Sequence, residues 1–92
     1  MSTRARVTVR LKSAILDPQG RAVQATLHRL GHSDVADLRI GKVIEFRVDG
    51  PPAEADEKVR RIAEEVLANP VMEEFEISLR PADERSDTDD AA

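Results

Sequence analysis

The sequence contains no cysteine, tryptophan or tyrosine, and its only aromatic residues are Phe46 and Phe75. Without cysteine there are no disulfides and no thiolate metal sites, which fits a reducing compartment. No apolar run approaches the roughly 20 residues that span a membrane, and the first residues lead into an alternating pattern instead of an apolar signal core. We therefore expect a cytoplasmic protein without a membrane segment, whose core is built from Val, Ile, Leu and Ala.

The chain has 92 residues, which is enough for one compact domain. A small aliphatic core is often completed by another subunit, so we expect an oligomer. The formal charge is −4, but five of the 18 acidic residues and only one of the 14 basic residues lie in residues 82–92. We predict a near-neutral domain over residues 1–81. Residues 82–92 are predicted to be an acidic disordered tail, solubilising in preference to partner-binding.

Alternation of apolar and polar residues predicts four β-strands. Their apolar positions are Ala5, Val7, Val9 and Leu11, then Ala36, Leu38 and Ile40, then Ile44, Phe46 and Val48, and finally Phe75, Ile77 and Leu79. The second and third strands are predicted to form a hairpin around residues 41–42. A three-residue loop that pairs Ile40 with Ile44 is preferred over a two-residue loop, because a slip of one residue would bury the charged residues of the third strand.

Helical periodicity predicts two helices between these strands. The first begins with Asp17 as N-cap and Pro18 at the first helical position, and it ends before Gly31, which is free to adopt positive φ. The residues that this helix is expected to bury are Val23, Leu27 and Leu30. The second helix is predicted over about 53–68 and is stopped by Pro70.

The order of these elements predicts an α+β fold. The expected architecture is a two-layer sandwich of ferredoxin-like type, β-α-β-β-α-β, with an antiparallel sheet and two helices on one face. The polar face of the first strand carries a basic stripe, formed by Arg4, Arg6, Arg10 and Lys12. This stripe is the best candidate for binding an anion or a partner. The interpretation that we favour is cross-strand pairing with Glu45, Glu74 or Glu76.

The patterns that usually accompany catalysis are weak in this sequence. His28 and His32 are spaced like metal ligands, but a surface position near a helix C-terminus is the favoured interpretation. The acidic cluster over residues 73–76 is interpreted as solvated surface charge. We find no nucleophile elbow and no glycine-rich phosphate loop, and a neutral domain with few aromatics is not expected to bind nucleic acid. We therefore predict no catalytic, cofactor-binding or metal-binding residue.

Five short segments, in this order, resemble the PurS family, the small subunits of bacterial and archaeal phosphoribosylformylglycinamidine synthase. They are residues 7–12, 15–20, 27–31, 39–42 and 67–71, and the resemblance covers about residues 5–80. The resemblance thus identifies residues 1–81 as a PurS-like domain. The family-motif residues, which are also possible interface residues, are Arg10, Lys12, Asp17, Pro18, Gly20, Gly41, Lys42, Asn69 and Pro70.

The resemblance implies a subunit without an active site of its own. Such subunits form homodimers or higher oligomers and join an ATP-dependent synthetase, PurL, and a glutaminase, PurQ, in de novo purine biosynthesis. The complex is a C–N ligase that converts formylglycinamide ribonucleotide, glutamine and ATP into the amidine, glutamate, ADP and phosphate, with ATP and Mg²⁺ bound by the synthetase. The small subunit is expected to bridge the other two and to support ammonia transfer. The alternative is a dimeric ferredoxin-like domain that senses a small molecule.

Overall fold

The computed structural model describes residues 1–82, and they form a three-stranded antiparallel sheet with two helices. The elements in chain order are β1 (Ser2–Leu11), α1 (Pro18–Arg29), β2 (Lys42–Asp49), α2 (Pro52–Ile62), a π-helical turn that continues α2 (Ala63–Leu67), and β3 (Glu73–Pro81). The α+β class, the antiparallel sheet and the two helices are confirmed. No helix in residues 1–82 is long and apolar enough to cross a membrane.

The first strand is the centre of the sheet, because the strand order is β2-β1-β3. Its pairing with β2 runs from Ser2 opposite Asp49 to Val9 opposite Lys42. Its pairing with β3 runs from Thr3 opposite Pro81 to Leu11 opposite Glu73. The predicted period of two is confirmed along β1, since alternate residues over 3–9 are buried and the others face the opposite side.

The core lies between this buried face and α2, which packs on β1 and β3. Its fully buried members are small: Ala5, Val7, Val9, Val59 and Ala63. Larger side chains of the sheet, among them Phe46 and Phe75, are only half-buried around them. The one buried hydroxyl of β1, on Thr3, donates to the Gly50 carbonyl at 2.7 Å, so its burial costs no hydrogen bond.

The first helix has the predicted ends but not the predicted burial. Asp17 caps it, and Gly31 follows it with φ of 100°. However, Leu30 is 70% exposed and Val23 is also exposed, while Leu27 is half-buried. The prediction that these three residues are buried is therefore wrong for the single chain. The reason is that α2 covers the apolar face of the sheet, and the only buried residue of α1 is Gly20.

The second predicted strand, over residues 36–40, does not form, and the prediction of a hairpin with Ile40 opposite Ile44 is wrong with it. Of the three predicted apolar positions only Leu38 is half-buried, and Asp37 has a positive φ of 56°, which breaks an extended strand. The backbone donors of this segment also have other acceptors. Leu38 N–H donates to Gln24 and Ile40 N–H donates to Asp17, so the sheet keeps three strands.

The second helix ends in a widened turn. The amide of Ala68 donates to the carbonyl of Ala63, five residues earlier, at 2.9 Å. The helix therefore closes just before Pro70, as predicted. The predicted acidic tail falls outside the described residues except for Ala82, whose N–H donates to the Ser2 carbonyl at 3.0 Å and extends the β1–β3 pairing.

Burial in the core should decide the effect of truncating valine in the second helix. Val59 is 0% exposed and Val66 is 75% exposed. Val59→Ala should lower the free energy of unfolding by about 2 kcal/mol, because it leaves a cavity under the sheet. The matched change Val66→Ala should stay within about 0.5 kcal/mol. Urea unfolding of both variants, at one protein concentration, measures the difference, and equal losses would contradict the assignment of the core.

Candidate functional site

The family-motif residues converge on one end of the molecule. At this end β1 finishes, α1 begins, and β2 and β3 both start, because Val9 lies opposite Lys42 and Leu11 lies opposite Glu73. We call this region the motif end and define it as residues 10–20, 38–42 and 69–73. Contacts among these three ranges, which are distant in sequence, hold it together.

The carboxylate of Asp17 joins the start of α1 to the segment before β2. One oxygen accepts from Gly20 N–H at 2.9 Å, and the other accepts from Ile40 N–H at 2.8 Å. The side chain is nearly buried, at 4% exposure. These backbone donors, Gly20 first and Ile40 second, hold the pKa of Asp17 below its ordinary value even though burial acts to raise it. The carboxylate is thus an anchor for the fold and is already occupied by donors.

Two glycines allow the close approaches at this end. A Cβ on Gly20 would lie 2.6 Å from a carboxylate oxygen of Asp17 and 2.6 Å from the backbone carbonyl of Leu38. A Cβ on Gly41 would lie 2.6 Å from the backbone carbonyl of Val9. Contacts this short are not tolerated, so both positions require glycine for space.

Side chains that are not among the family-motif residues fix residues 35–40. Gln24 accepts from Leu38 N–H at 3.0 Å, and His28 Nε2 lies 2.7 Å from the Val35 carbonyl. The guanidinium of Arg39 donates to the carbonyls of Lys12 and Ile15 at 3.0 and 2.9 Å. The backbone of this segment is thus held by side chains instead of by a neighbouring strand. The signal in the sequence was the weak β-propensity of Ala36 and Asp37.

The basic residues of β1 pair across the strands, which confirms the favoured interpretation for Arg6 and Arg10. Arg6 lies 3.2 Å from Glu45, and Arg10 lies 3.3 Å from Glu74 and 2.6 Å from Glu76. The hydrogen bonds that Arg10 donates to Glu76 and then to Glu74 raise the pKa of its guanidinium. Because these ion pairs are exposed, each contributes little to the free energy of unfolding. Their arrangement therefore sets the charge pattern of this surface more than it stabilises the fold.

The turn before β3 is held by Asn69 and reaches back to β1. The amide oxygen of Asn69 accepts from Val71 N–H at 3.0 Å, which closes an Asx turn. Lys12 donates through Nζ to the Pro70 carbonyl at 3.0 Å. The outer end of this turn is apolar and exposed to solvent, since Val71 is 75% exposed and Met72 is also exposed.

A shallow cavity of about 310 Å³ lies at the motif end, between the starts of α1 and β2. It is lined by Val9, Arg10, Leu11, Asp17, Gln19, Ile40, Gly41, Lys42 and Glu73. Its charged lining consists of two cations and two carboxylates, and Asp17 already accepts from two backbone donors. Within residues 1–82, no group of three or more His, Cys, Asp and Glu side chains is placed to hold a metal ion. The lining of this cavity contains no hydroxyl, thiol or imidazole side chain.

Comparison with known proteins identifies the family. The family described as "PurS: Phosphoribosylformylglycinamidine (FGAM) synthase" matches residues 4–81. The chain belongs to the PurS family. The resemblance inferred from the short motifs is therefore confirmed over nearly the whole of the described structure.

Relatives in this family match over most of their own length. The PurS subunit of FGAM synthase from Mycobacterium leprae is 44% identical over 75 residues, which are 82% of this chain and 92% of the relative. Among solved structures, Methanocaldococcus jannaschii PurS, a subunit of formylglycinamide ribonucleotide amidotransferase in the purine biosynthetic pathway, aligns with a TM-score of 0.81 at 30% identity. It covers 88% of this chain and 99% of its own.

One neighbour belongs to an assembly. The structure of PurLQS from Thermotoga maritima contains a chain that aligns with a TM-score of 0.79 at 31% identity, over 87% of this chain and 99% of that chain. The family therefore connects this fold with FGAM synthase and purine biosynthesis. The individual roles of Arg10, Lys12, Lys42 and the other family-motif residues stay predictions.

The space at Gly20 gives a test of the motif end. Alanine normally favours a helix over glycine by about 1 kcal/mol. Gly20→Ala should nevertheless lower the free energy of unfolding by about 2 kcal/mol, because its methyl group meets the Leu38 carbonyl. Gln19→Ala, at the exposed neighbouring position, is the control and should change little. Chemical denaturation of the two variants is the measurement, and a stabilised Gly20→Ala variant would refute the packing described.

The lowered pKa of Asp17 predicts a dependence of stability on pH. The group favours the folded state above its ordinary pKa of about 3.9, and this contribution is lost as the pH falls through the lower folded-state pKa. Asp17→Asn should therefore be less stable than the parent at neutral pH, and the difference should shrink in acid. Thermal melts at several pH values measure it. The exposed Asp34→Asn variant is the control, and a gap that stays constant with pH would contradict the role of the charge.

Proposed function

We propose that this chain is a non-catalytic subunit of FGAM synthase that bridges the synthetase PurL and the glutaminase PurQ and supports ammonia transfer between them. In this role ATP and Mg²⁺ are bound by the synthetase, and no residue of this chain binds a cofactor. The observation that carries the proposal is the alignment of the chain with the PurLQS structure over nearly its whole length. The proposed subunit operates in the cytoplasm, in keeping with a sequence that lacks cysteine.

The construction of the motif end supports a role in contacts. Its polar side chains, such as those of Asp17 and Arg39, hold the backbone in place through hydrogen bonds. Its outer surface combines cationic side chains with exposed apolar side chains. The exposed apolar residues there are Leu16, Ile40, Val71 and Met72. Exposed apolar groups next to charges are typical of surfaces that bind other proteins. We assign the partner contact to this end, with Arg10, Lys12, Gly41 and Lys42 at its centre.

The exposed face of α1 supports self-association. Val23, Leu27 and Leu30 lie at helical spacing, and two of them are exposed in the single chain. Burying such a stripe against a second copy removes apolar surface from water and completes a core that is small in the monomer. The subunit is thus a homodimer or a higher oligomer. The family match over residues 4–81 favours this assignment over the small-molecule-sensing domain.

Reconstitution with the cognate synthetase and glutaminase tests the bridging role. Glutamine-dependent formation of the amidine should require this chain, because ammonia must pass between two active sites. Turnover fed directly with ammonia should depend on it much less. If glutamine-dependent turnover is unchanged when the chain is omitted, the proposed role is wrong.

Charge reversal at the motif end tests the contact surface. Arg10→Glu combined with Lys12→Glu should weaken assembly with the two large subunits by about tenfold or more, equivalent to about 1.4 kcal/mol. The isolated domain should stay folded, because both side chains are exposed. Pull-down and sedimentation measure the loss.

The matched control reverses the same number of charges on α2, with Arg60→Glu and Arg61→Glu. These arginines also pair with carboxylates, at 3.7 and 3.4 Å, so the two double variants lose comparable ion pairs. The control should assemble normally. Equal weakening in both variants would mean that overall charge governs assembly, and it would remove the motif end from the interface.

A further inference from the structure

The first helix and the segment that returns from it to β2 form one structural unit beside the sheet. We call this unit the arm and define it as residues 17–41. Leu38 N–H donates to Gln24 at 3.0 Å, which joins the returning segment to the middle of α1. Ile40 N–H donates to Asp17, which joins it to the start of α1. Within residues 1–82, α1 makes no contact with the sheet as extensive as that of α2.

The arm exposes an apolar stripe along α1. Its members are Val23, Leu27 and Leu30, which share one face because residues three and four apart on a helix are neighbours. Val23 is 41% exposed and Leu30 is 70% exposed, while Leu27 is half-buried. The helix has 12 residues, so the stripe lies on a rod about 18 Å long.

The apolar face of the sheet has a matching strip on β2. This strip consists of Ile44, Phe46 and Val48, which are only half-buried. They face the core side of the sheet, since Ile44 lies opposite the fully buried Val7. The second helix packs on β1 and β3, and β2 lies at the other edge of the sheet. Its eight residues span about 27 Å, so a helix of the length of α1 fits along it.

The arm is held in a position from which it does not cover its own β2. The start of α1 lies so close to the returning segment that a Cβ on Gly20 would be 2.6 Å from the Leu38 carbonyl. That segment leads directly into β2. To lie along its own β2, α1 would have to separate from the segment and lose the hydrogen bonds to Gln24 and Asp17. A second copy can supply a helix without this loss.

We propose that α1 of each copy lies along β2 of a second copy in a two-fold symmetric dimer. This inference rests on the self-association proposed above and names the two surfaces that meet. Each copy gives one helix and receives one, as a two-fold contact requires. Both the stripe on α1 and the strip on β2 then leave water, which is the driving force for association.

The charges of the two helices favour this arrangement over contact between two copies of α1. The first helix contains Arg21 and Arg29 and no acidic residue. Residues 52–67, which form α2 and its π-helical turn, contain five acidic and three basic residues, a net charge of −2. A helix placed on β2 becomes the neighbour of α2 in the helical layer, so opposite net charges lie side by side. Two copies of α1 would bring like charges together.

Cross-linking between single-cysteine variants tests the arrangement. The chain has no cysteine, so Leu27→Cys and Phe46→Cys each introduce one thiol. The two variants carry different tags, are mixed until subunits exchange, and are treated with a short bismaleimide. We expect a cross-linked heterodimer in several-fold higher yield than from Leu27→Cys mixed with Ser78→Cys, which places its thiol on the opposite face of the sheet. Ile44→Cys, a smaller change on the same strip, replaces Phe46→Cys if that variant does not fold.

A charge introduced into the stripe gives an independent test. Val23→Asp should raise the dissociation constant of the dimer about tenfold or more, because the contact would bury an unpaired carboxylate. Ala25→Asp, at an exposed position on the other side of α1, is the matched control and should associate like the parent. Sedimentation over a range of concentrations measures both, and far-UV circular dichroism checks that both stay folded. Equal weakening in the two variants would contradict the proposed contact.

Each alternative arrangement gives a different result. A parent chain that is monomeric at micromolar concentration overturns the inference, and so does a dimer in which Leu27→Cys is cross-linked only to itself or to Ser78→Cys. A cross-link within single chains that carry both Leu27→Cys and Phe46→Cys means that the arm closes on its own sheet, and it also overturns the inference. The bridging role is measured separately, by the requirement of glutamine-dependent turnover for this chain.

Discussion

The buried carboxylate of Asp17 is the interaction on which the motif end depends. Its two oxygens bond to two backbone amides, Gly20 in the same turn of helix and Ile40 far along the chain. This bridge holds α1 so close to the segment before β2 that Gly20 has no room for a Cβ beside the Leu38 carbonyl. The family motif around residues 17–20 is therefore explained by geometry, because this short segment must combine a carboxylate acceptor, the start of a helix and a residue without a Cβ.

Much of the architecture could be predicted from the sequence, because alternation and helix ends are local. The strands around Val7, Phe46 and Ile77 followed from side-chain spacing, and the cap at Asp17 followed from an Asp placed directly before a Pro. The failure at residues 36–40 has a physical cause. Alternation indicates which side chains are suited to an apolar face, but it does not indicate which groups accept hydrogen bonds from the backbone N–H groups. In this segment the acceptors are the side chains of Gln24 and Asp17.

The same limit applies to the surface. An amphipathic stripe such as that of Val23 and Leu30 indicates that a helix packs its apolar side against another surface. It does not indicate whether that surface belongs to the same chain. The residues of the motif end could be named from the sequence, but their meeting at one end of the sheet could not. Likewise, the register that places Arg4 between Arg47 and Arg80 joins strands that are far apart in sequence.

The central position of β1 has a consequence for how the chain folds. The strand that both neighbours pair with is made first, and β3, which supplies half of its hydrogen-bonded partners, lies at the far end of the described chain. Contacts of such long sequence separation close slowly. Until residues 73–81 are available, one edge of β1 has unpaired N–H and C=O groups beside a face of valines. During synthesis this edge is the part of the molecule most exposed to wrong pairing with other chains.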